Sequence, residues 1–454
     1  MSFATTNPAT GEVEKTFDDH TDEEVEARLA RAAATFDRFR RTSFAERARL
    51  LTTAAELLEG EIPDIARVLT TEMGKTFASA KGEAAKCASA MRWFAEHAEA
   101  MLTDEEVAVD ASLGLVTYQP LGAVLAIMPW NFPLWQVVRF AAPALMVGNV
   151  GLLKHASNVP QTALYLEGLF RRAGYPEGAF TTLLIGSGDV AKVIADDRVV
   201  AVTLTGSERA GQSVASAAGE ALKKCVLELG GSDPFVVLGS ADLDRAVSVA
   251  VQARVQNNGQ SCIAAKRFIV EASVYDEFTA RFTEAMAALT VGDPLDPATD
   301  VGPLVSAAQR EEIAGQVDDA RDKGAVVGCG GDIPDGPGWY YPPTVLTGVT
   351  PAMRVFEEET FGPVAVVERA ADLDEAIDLA NRTSFGLGSS AWTTDPAEQA
   401  RCIDEIEAGQ VFVNAMVAST PEMPFGGIKR SGYGRELSAL GIKEFCNAKG
   451  IWVA

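Results

Sequence analysis

From Val150 onward, short apolar runs take turns with stretches of helical period. "VGLL" (Val150 to Leu153), "TTLLI" (Thr181 to Ile185) and "VVAVTL" (Val199 to Leu204) are too short for helices. The segments between them repeat their apolar residues every three or four positions. Strands that are apolar at every position are buried on both faces. Strands joined through helices run parallel, by right-handed βαβ crossovers. This rhythm predicts an α/β fold around a parallel sheet.

A second stretch of the same kind starts near Ser232. It holds "PFVVL", the helical "LDRAVSVAVQARVQ", the strand "KRFIVE", and later "VAVVE" with "LDEAIDLANR". The Asp, Pro and Gly residues from Gly292 to Pro303 read as a loop. Two α/β lobes are therefore expected, with a boundary at "ELGGSDP" (Glu228 to Pro234) and its glycine pair as a hinge. The first part of the chain is helical. Thr21 with Glu24 forms a capping box, and Ser43 with Glu46 forms another, opening a helix that Gly60 ends. From about Gly114, "LVTYQPLGAVLAI" alternates and then becomes apolar throughout, the pattern of a hairpin followed by a buried strand.

Composition narrows the function classes. The 454 residues are 47% hydrophobic and 22% charged, ample for two or three cores. The most apolar stretch, Phe140 to Lys154, is broken by Pro143, Gly148, Asn149 and Gly151, so no membrane span is expected. The start "MSFATTNPATGE" lacks the basic and apolar regions of a secretion signal, and a cytoplasmic protein is expected. Six cysteines without a CxxC pair argue against a disulfide framework and a zinc site, so no metal is expected. A net charge of -24 repels nucleic acid and anionic membranes, leaving neither as a partner. It also suits a salt-rich, halophilic host.

One cysteine invites chemistry. Cys262 sits in "NNGQSCIAAKRF", just after a helical segment that Asn257, Asn258 and Gly259 stop. A thiol hydrolase would pair it with a histidine. The three histidines, His20, His97 and His155, occupy a polar loop, a helical segment and the end of a buried strand. Backbone amides and a cationic neighbour are the other means of favouring the thiolate.

"GQSC" (Gly259 to Cys262), "ELGGSDP", "PWNFPLW" (Pro129 to Trp135), "LKHASNVP" (Leu153 to Pro160), "LTGS" (Leu204 to Ser207), "EETFGPV" (Glu358 to Val364) and "PFGGIKRSGYGRE" (Pro424 to Glu436) together resemble the aldehyde dehydrogenase superfamily, in its order and spacing. The resemblance runs from "NPATGE" (Asn7 to Glu12) to the end of the chain. It implies that residues 1–110 and 125–227 form a Rossmann-like dinucleotide-binding domain and residues 228–430 an α/β catalytic domain. Residues 111–124 and 440–454 are implied to be oligomerisation strands, hence a homo-oligomer, dimer or tetramer.

By the same resemblance Cys262 is the nucleophile, Asn131 the oxyanion donor and Glu228 the general base that activates water on the thioester. Members that pass the acyl group to coenzyme A lack this glutamate, so hydrolysis to a free acid is implied. Trp130, Lys154, Ser157, Gly206, Ser207, Glu359 and Phe361 match cofactor-binding positions. Ser207 would also cap the helix after it, whose amides could hold a diphosphate. NAD-preferring members often carry a glutamate three residues after the lysine. Ser157 stands there instead, so NADP is expected as the cofactor, with NAD also accepted.

Arg139 matches the substrate-carboxylate arginine of the succinate-semialdehyde branch, and the "LLKHASNVPQ" context resembles that branch most. Ser419 and Thr420 stand as further carboxylate donors. A second arginine found in some members is replaced by Gln256, with Arg254 two residues away as a substitute. The expected reaction is succinate semialdehyde to succinate. The alternatives are an aldehyde dehydrogenase of aliphatic or betaine-aldehyde specificity, and a non-catalytic binding protein on the same scaffold.

Overall fold

The computed structural model describes residues 3–454. Two mostly parallel sheets organise it. The first has six strands, in the order Gly432–Tyr433, Lys224–Glu228, Val199–Thr205, Ala123–Met128, Val150–His155 and Phe180–Thr182, all parallel except the first pair. The second has seven, in the order Val326–Cys329, Thr344–Thr347, Val364–Ala370, Arg267–Glu271, Pro234–Val237, Gly388–Trp392 and Gln410–Val413, parallel except for its first pair. The apolar runs read from the sequence supply its central strands. Phe235, Val237, Phe268 and Val270 enter one core cluster and Val236 and Ile269 another, so this sheet is buried on both faces.

The first lobe shares one core with the N-terminal helices. Leu51, Ala55, Leu58, Ala84, Met91 and Phe94 pack with Leu125, Leu152 and Val202. Helix Asp22–Phe39 opens with the full capping box of Thr21 and Glu24. Helix Phe44–Gly60 keeps only half of the second: Ser43 accepts from the Glu46 N–H, without the return bond. The predicted strand at Thr181 to Ile185 is Phe180–Thr182, because the chain after Thr182 leaves the edge of the sheet.

A third, antiparallel sheet joins Cys446–Val453 to Leu113–Pro120 and Glu105–Glu106. The two segments read as oligomerisation strands thus pair with each other over eight positions. Ala123 and Val124, grouped with them in the sequence, belong instead to the six-stranded sheet.

Candidate active site

Cys262 lies between the lobes, and the backbone before it explains why it is presented. Helix Leu243–Val255 ends, and Asn257, Asn258 and Gly259 follow with φ of 55°, 58° and 75°. Three consecutive left-handed residues suit Asn and Gly, which pay least for that conformation. A Cβ at Gly259 would run into the backbone of Gly362. The turn is pinned from outside. Asn258 Nδ2 donates to the carbonyls of Gly74 and Pro303 at 2.8 and 3.0 Å, and Asn257 Nδ2 to that of Asn131 at 2.7 Å. Beyond it, the buried Lys266 ammonium donates to the carbonyls of Ser261, Cys262 and Ala264 at 2.8 to 3.1 Å. Nothing in the sequence singled out Lys266. Its signal is a lysine four residues past the cysteine at the mouth of a buried strand.

Two cavities meet at Cys262. One, of about 270 Å³, is lined by Trp130, Asn131, Thr205, Gly206, Ser207, Glu359 and Phe361 among others. It opens at the carboxyl ends of Ala123–Met128 and Val199–Thr205, the place where parallel α/β sheets take ligands. Trp130 and Phe361 meet edge to face at 5.6 Å. Ser207 caps helix Glu208–Glu220, accepting from the Ala210 N–H. Glu359 accepts from the Gly231 N–H at 3.1 Å and pairs with Lys266 at 3.4 Å. Lys154 ends the neighbouring strand Val150–His155 with no ion pair among the described residues, and Ser157 beyond it is exposed. Neither lines the cavity. Burial lowers the Lys154 ammonium, so an anion there would relieve a real cost.

The second cavity, of about 190 Å³, contains Phe132, Trp135, Arg139, Gln256, Ser261, Phe425, Ser419 and Lys86 in its wall, with Cys262 again. Three residues expected to serve the substrate stand differently here. Arg139, expected to bind a substrate carboxylate, does stand in this wall, but it is only 2% exposed and ion-paired with Glu436. It also donates to Thr205 Oγ1 at 3.2 Å and lies over the Phe425 ring at 4.5 Å. Thr420, read as a donor beside Ser419, does not reach the cavity: its carbonyl accepts from the Met423 N–H in a turn. Arg254, fully buried and donating to the Gly259 carbonyl at 2.8 Å, lines neither cavity. Lys86 is a wall residue that sequence reasoning missed, since a lysine on an N-terminal helix reads as solvated.

The chemistry of the trio follows from burial. Asn131 uses one amide proton on the Gln260 carbonyl at 3.2 Å, and its Oδ1 has no partner among the described residues. Its loop is held by Glu83, which accepts from the Leu134 and Trp135 N–H groups at 2.8 and 2.9 Å and pairs with the buried Lys75. The Cys262 thiol is pushed up to about 12 by burial, against the opposing pull of Arg139 and Lys266. The protein alone therefore keeps it neutral, and deprotonation requires a base. Glu228, 2% exposed, has no hydrogen-bond partner for either carboxylate oxygen among the described residues. Burial, and next the charge of Glu436, holds its pKa far above the carboxylate range. It lines neither cavity. A Cβ on Gly426 would come within 2.7 Å of its Oε1, so the bare glycine there leaves room for the carboxylate.

Two parallel-sheet lobes meeting at a thiol, with one cavity at the strand ends and a second behind it, define a two-ligand enzyme site built around a nucleophile. The chain belongs to the aldehyde dehydrogenase family, whose sequence pattern matches residues 1–451. It is an oxidoreductase of that family. The chain is 62% identical over 457 residues to a Mycobacterium tuberculosis protein named succinate-semialdehyde dehydrogenase NADP(+) 1, covering both chains fully. It is 61% identical to a succinate-semialdehyde dehydrogenase NADP(+) of Mycobacterium avium, covering 100% of this chain and 97% of that one. Among solved structures, the succinic semialdehyde dehydrogenase of Streptococcus pyogenes in complex with NADP+ is 39% identical, covers 99% of both chains, and superposes with a TM-score of 0.97.

Proposed function

We propose that the protein oxidises succinate semialdehyde to succinate with NADP as the cofactor. The observation that carries this reading is the thiol of Cys262 standing in the walls of two cavities at once, one suited to each reactant. The full-length likeness to enzymes named for this substrate and cofactor supports it.

Cys262, deprotonated by Glu228, attacks the aldehyde carbon. The free amide proton of Asn131 and a backbone N–H stabilise the alkoxide, a contribution typically worth several kcal/mol. Collapse to a thioester removes the aldehyde hydrogen as hydride. Once Glu228 has released that first proton to solvent, it takes another from water as the water attacks the thioester, and Cys262 leaves as thiolate.

NADP fits the cavity at the strand ends. Trp130, Gly206, Ser207, Glu359 and Phe361 would hold it there. Lys154 and Ser157 would take the 2′-phosphate, where an unpaired cation and a hydroxyl stand and no carboxylate opposes. Bound, its nicotinamide supplies the hydride acceptor.

The first lobe serves as the cofactor domain and the second as the catalytic domain. The three-stranded sheet supports a homo-oligomer: Cys446–Val453 is its edge, and Leu113, Trp452 and Val453 are 41%, 61% and 46% exposed. Among the described residues no helix is long and apolar enough to cross a membrane, and a cytoplasmic site of action agrees with that. The charge of -24 supports a salt-rich host, and a thermal midpoint that rises with potassium chloride would bear this out.

Steady-state kinetics on a panel of succinate semialdehyde, butanal and betaine aldehyde with both cofactors test the reading. The highest kcat/KM is expected for succinate semialdehyde with NADP. Equal values for butanal would overturn the substrate assignment.

A further inference from the structure

The cavity behind Cys262 has two cations in its wall, and only Lys86 has no carboxylate partner among the described residues. Arg139 is engaged by Glu436, Thr205 and the Phe425 ring. The sole carboxylate in the wall, Glu83, is occupied by Lys75 and two backbone N–H groups. Lys86, on helix Phe77–Met101, has no ion-pair partner among the described residues. Its ammonium donates to Ser419 Oγ at 2.9 Å and lies 4.0 Å from the centre of the Trp135 ring. Two of its three protons therefore have no acceptor in the wall. An ammonium removed from water without an anion is costly, and a ligand that brings one recovers that cost.

Ser419 adds direction. Its oxygen already accepts from Lys86 Nζ and from Trp135 Nε1, both at 2.9 Å. Both lone pairs are taken, so its own proton can only be donated, and the described residues offer it no acceptor. An ammonium and a hydroxyl thus present free protons to one cavity whose other wall is the nucleophile.

We propose that Lys86, with the Ser419 hydroxyl it anchors, receives the carboxylate at the far end of a short semialdehyde, and that Lys86 is the specificity-determining cation of this site. This rests on the reading of the substrate given above. Arg139 then contributes through its position, with its charge largely cancelled by Glu436. Groups facing Lys86 are Glu83 and Cys87 on its own helix, Arg139 on helix Trp135–Val147, and Cys262 on the opposing loop. Burial brings the ammonium down to about 8, so the charged form is present below that pH and lost above it.

The test is the ratio of kcat/KM for succinate semialdehyde to that for butanal, measured with NADP in the wild type, Lys86→Met and Lys86→Gln. Taking the ratio cancels effects on Cys262 and Glu228, which act on both aldehydes. Both variants should lower it at least thirtyfold. In the wild type it should fall as pH rises above about 8, and in the variants it should be flat. Lys86→Gln keeps a donor to Ser419 without the charge, so it serves if Lys86→Met folds poorly. A ratio within threefold of wild type in a folded variant overturns the role of Lys86 while leaving the substrate reading intact. A wild-type ratio near one overturns the substrate reading itself.

Discussion

Arg139 and Glu436 form an ion pair that is almost wholly withdrawn from water, at 2% and 5% exposure, joining helix Trp135–Val147 to the segment that follows strand Gly432–Tyr433. The pair lies within electrostatic reach of Glu228 and decides two things about the site. It neutralises the charge of an arginine in the cavity wall, and it places a second carboxylate near Glu228.

Breaking the pair should be costly. Glu436→Leu leaves an unmatched guanidinium in the interior and is expected to lower unfolding stability by about 3–5 kcal/mol. The double variant Arg139→Met with Glu436→Leu should regain most of the loss. Urea unfolding of the wild type, single and double variants measures both. A single variant as stable as wild type would mean that water reaches the pair.

The pair also sets a pH limb. A general base works ionised, and Glu228 is held well above the carboxylate range by burial, with Glu436 adding to the shift and Arg139 opposing it. Activity should therefore fall on the acid side at a higher pH than an exposed glutamate would give. Glu436→Gln removes the like charge and unmasks Arg139. Both changes favour ionised Glu228, so the limb should move to lower pH. Glu228→Gln should reduce steady-state turnover by about 10²–10⁴-fold. A burst of reduced cofactor in that variant would place the block at thioester hydrolysis. Profiles of kcat and kcat/KM against pH, with stopped-flow traces, check these outcomes.

Cofactor choice should turn on a single exposed position. Ser157→Glu puts a carboxylate beside the place assigned to the 2′-phosphate and should lower kcat/KM for NADP about tenfold, equivalent to about 1.4 kcal/mol. The value for NAD should change little. An unchanged ratio would move the phosphate away from Ser157.

The exposed edge of the three-stranded sheet makes a further prediction. Trp452→Lys, in strand Cys446–Val453, should shift the protein to a smaller species in sedimentation while the fold persists by circular dichroism. An assembly of unchanged size would place the subunit contact elsewhere.

Much of this was legible along the chain because local rules carried it. Thr21 and Glu24 mark a helix start whatever surrounds them, and the wholly apolar runs at Val150 and Val199 mark strands buried on both faces. The motifs around Cys262, Asn131 and Ser207, through their resemblance to a known family, pointed to residues that line the site. Arg139, Thr420 and Lys86 were less readable. Whether a cation is free or paired depends on what packs against it from far away in the sequence, and Glu436 lies almost three hundred positions from Arg139.

The amino-acid sequence by itself pointed to two parallel-sheet lobes, a candidate nucleophile at Cys262 and the residues able to serve it. The lobes follow from periodicity and turn chemistry, which act over a few positions, and the site residues from the motifs that resemble a known family. Tertiary structure alone decided which charges are spent. It buried Glu228 without a partner, tied Arg139 to Glu436, and left the Lys86 ammonium facing the cavity. Solvation and pairing are properties of a three-dimensional neighbourhood, and no short stretch of chain contains one.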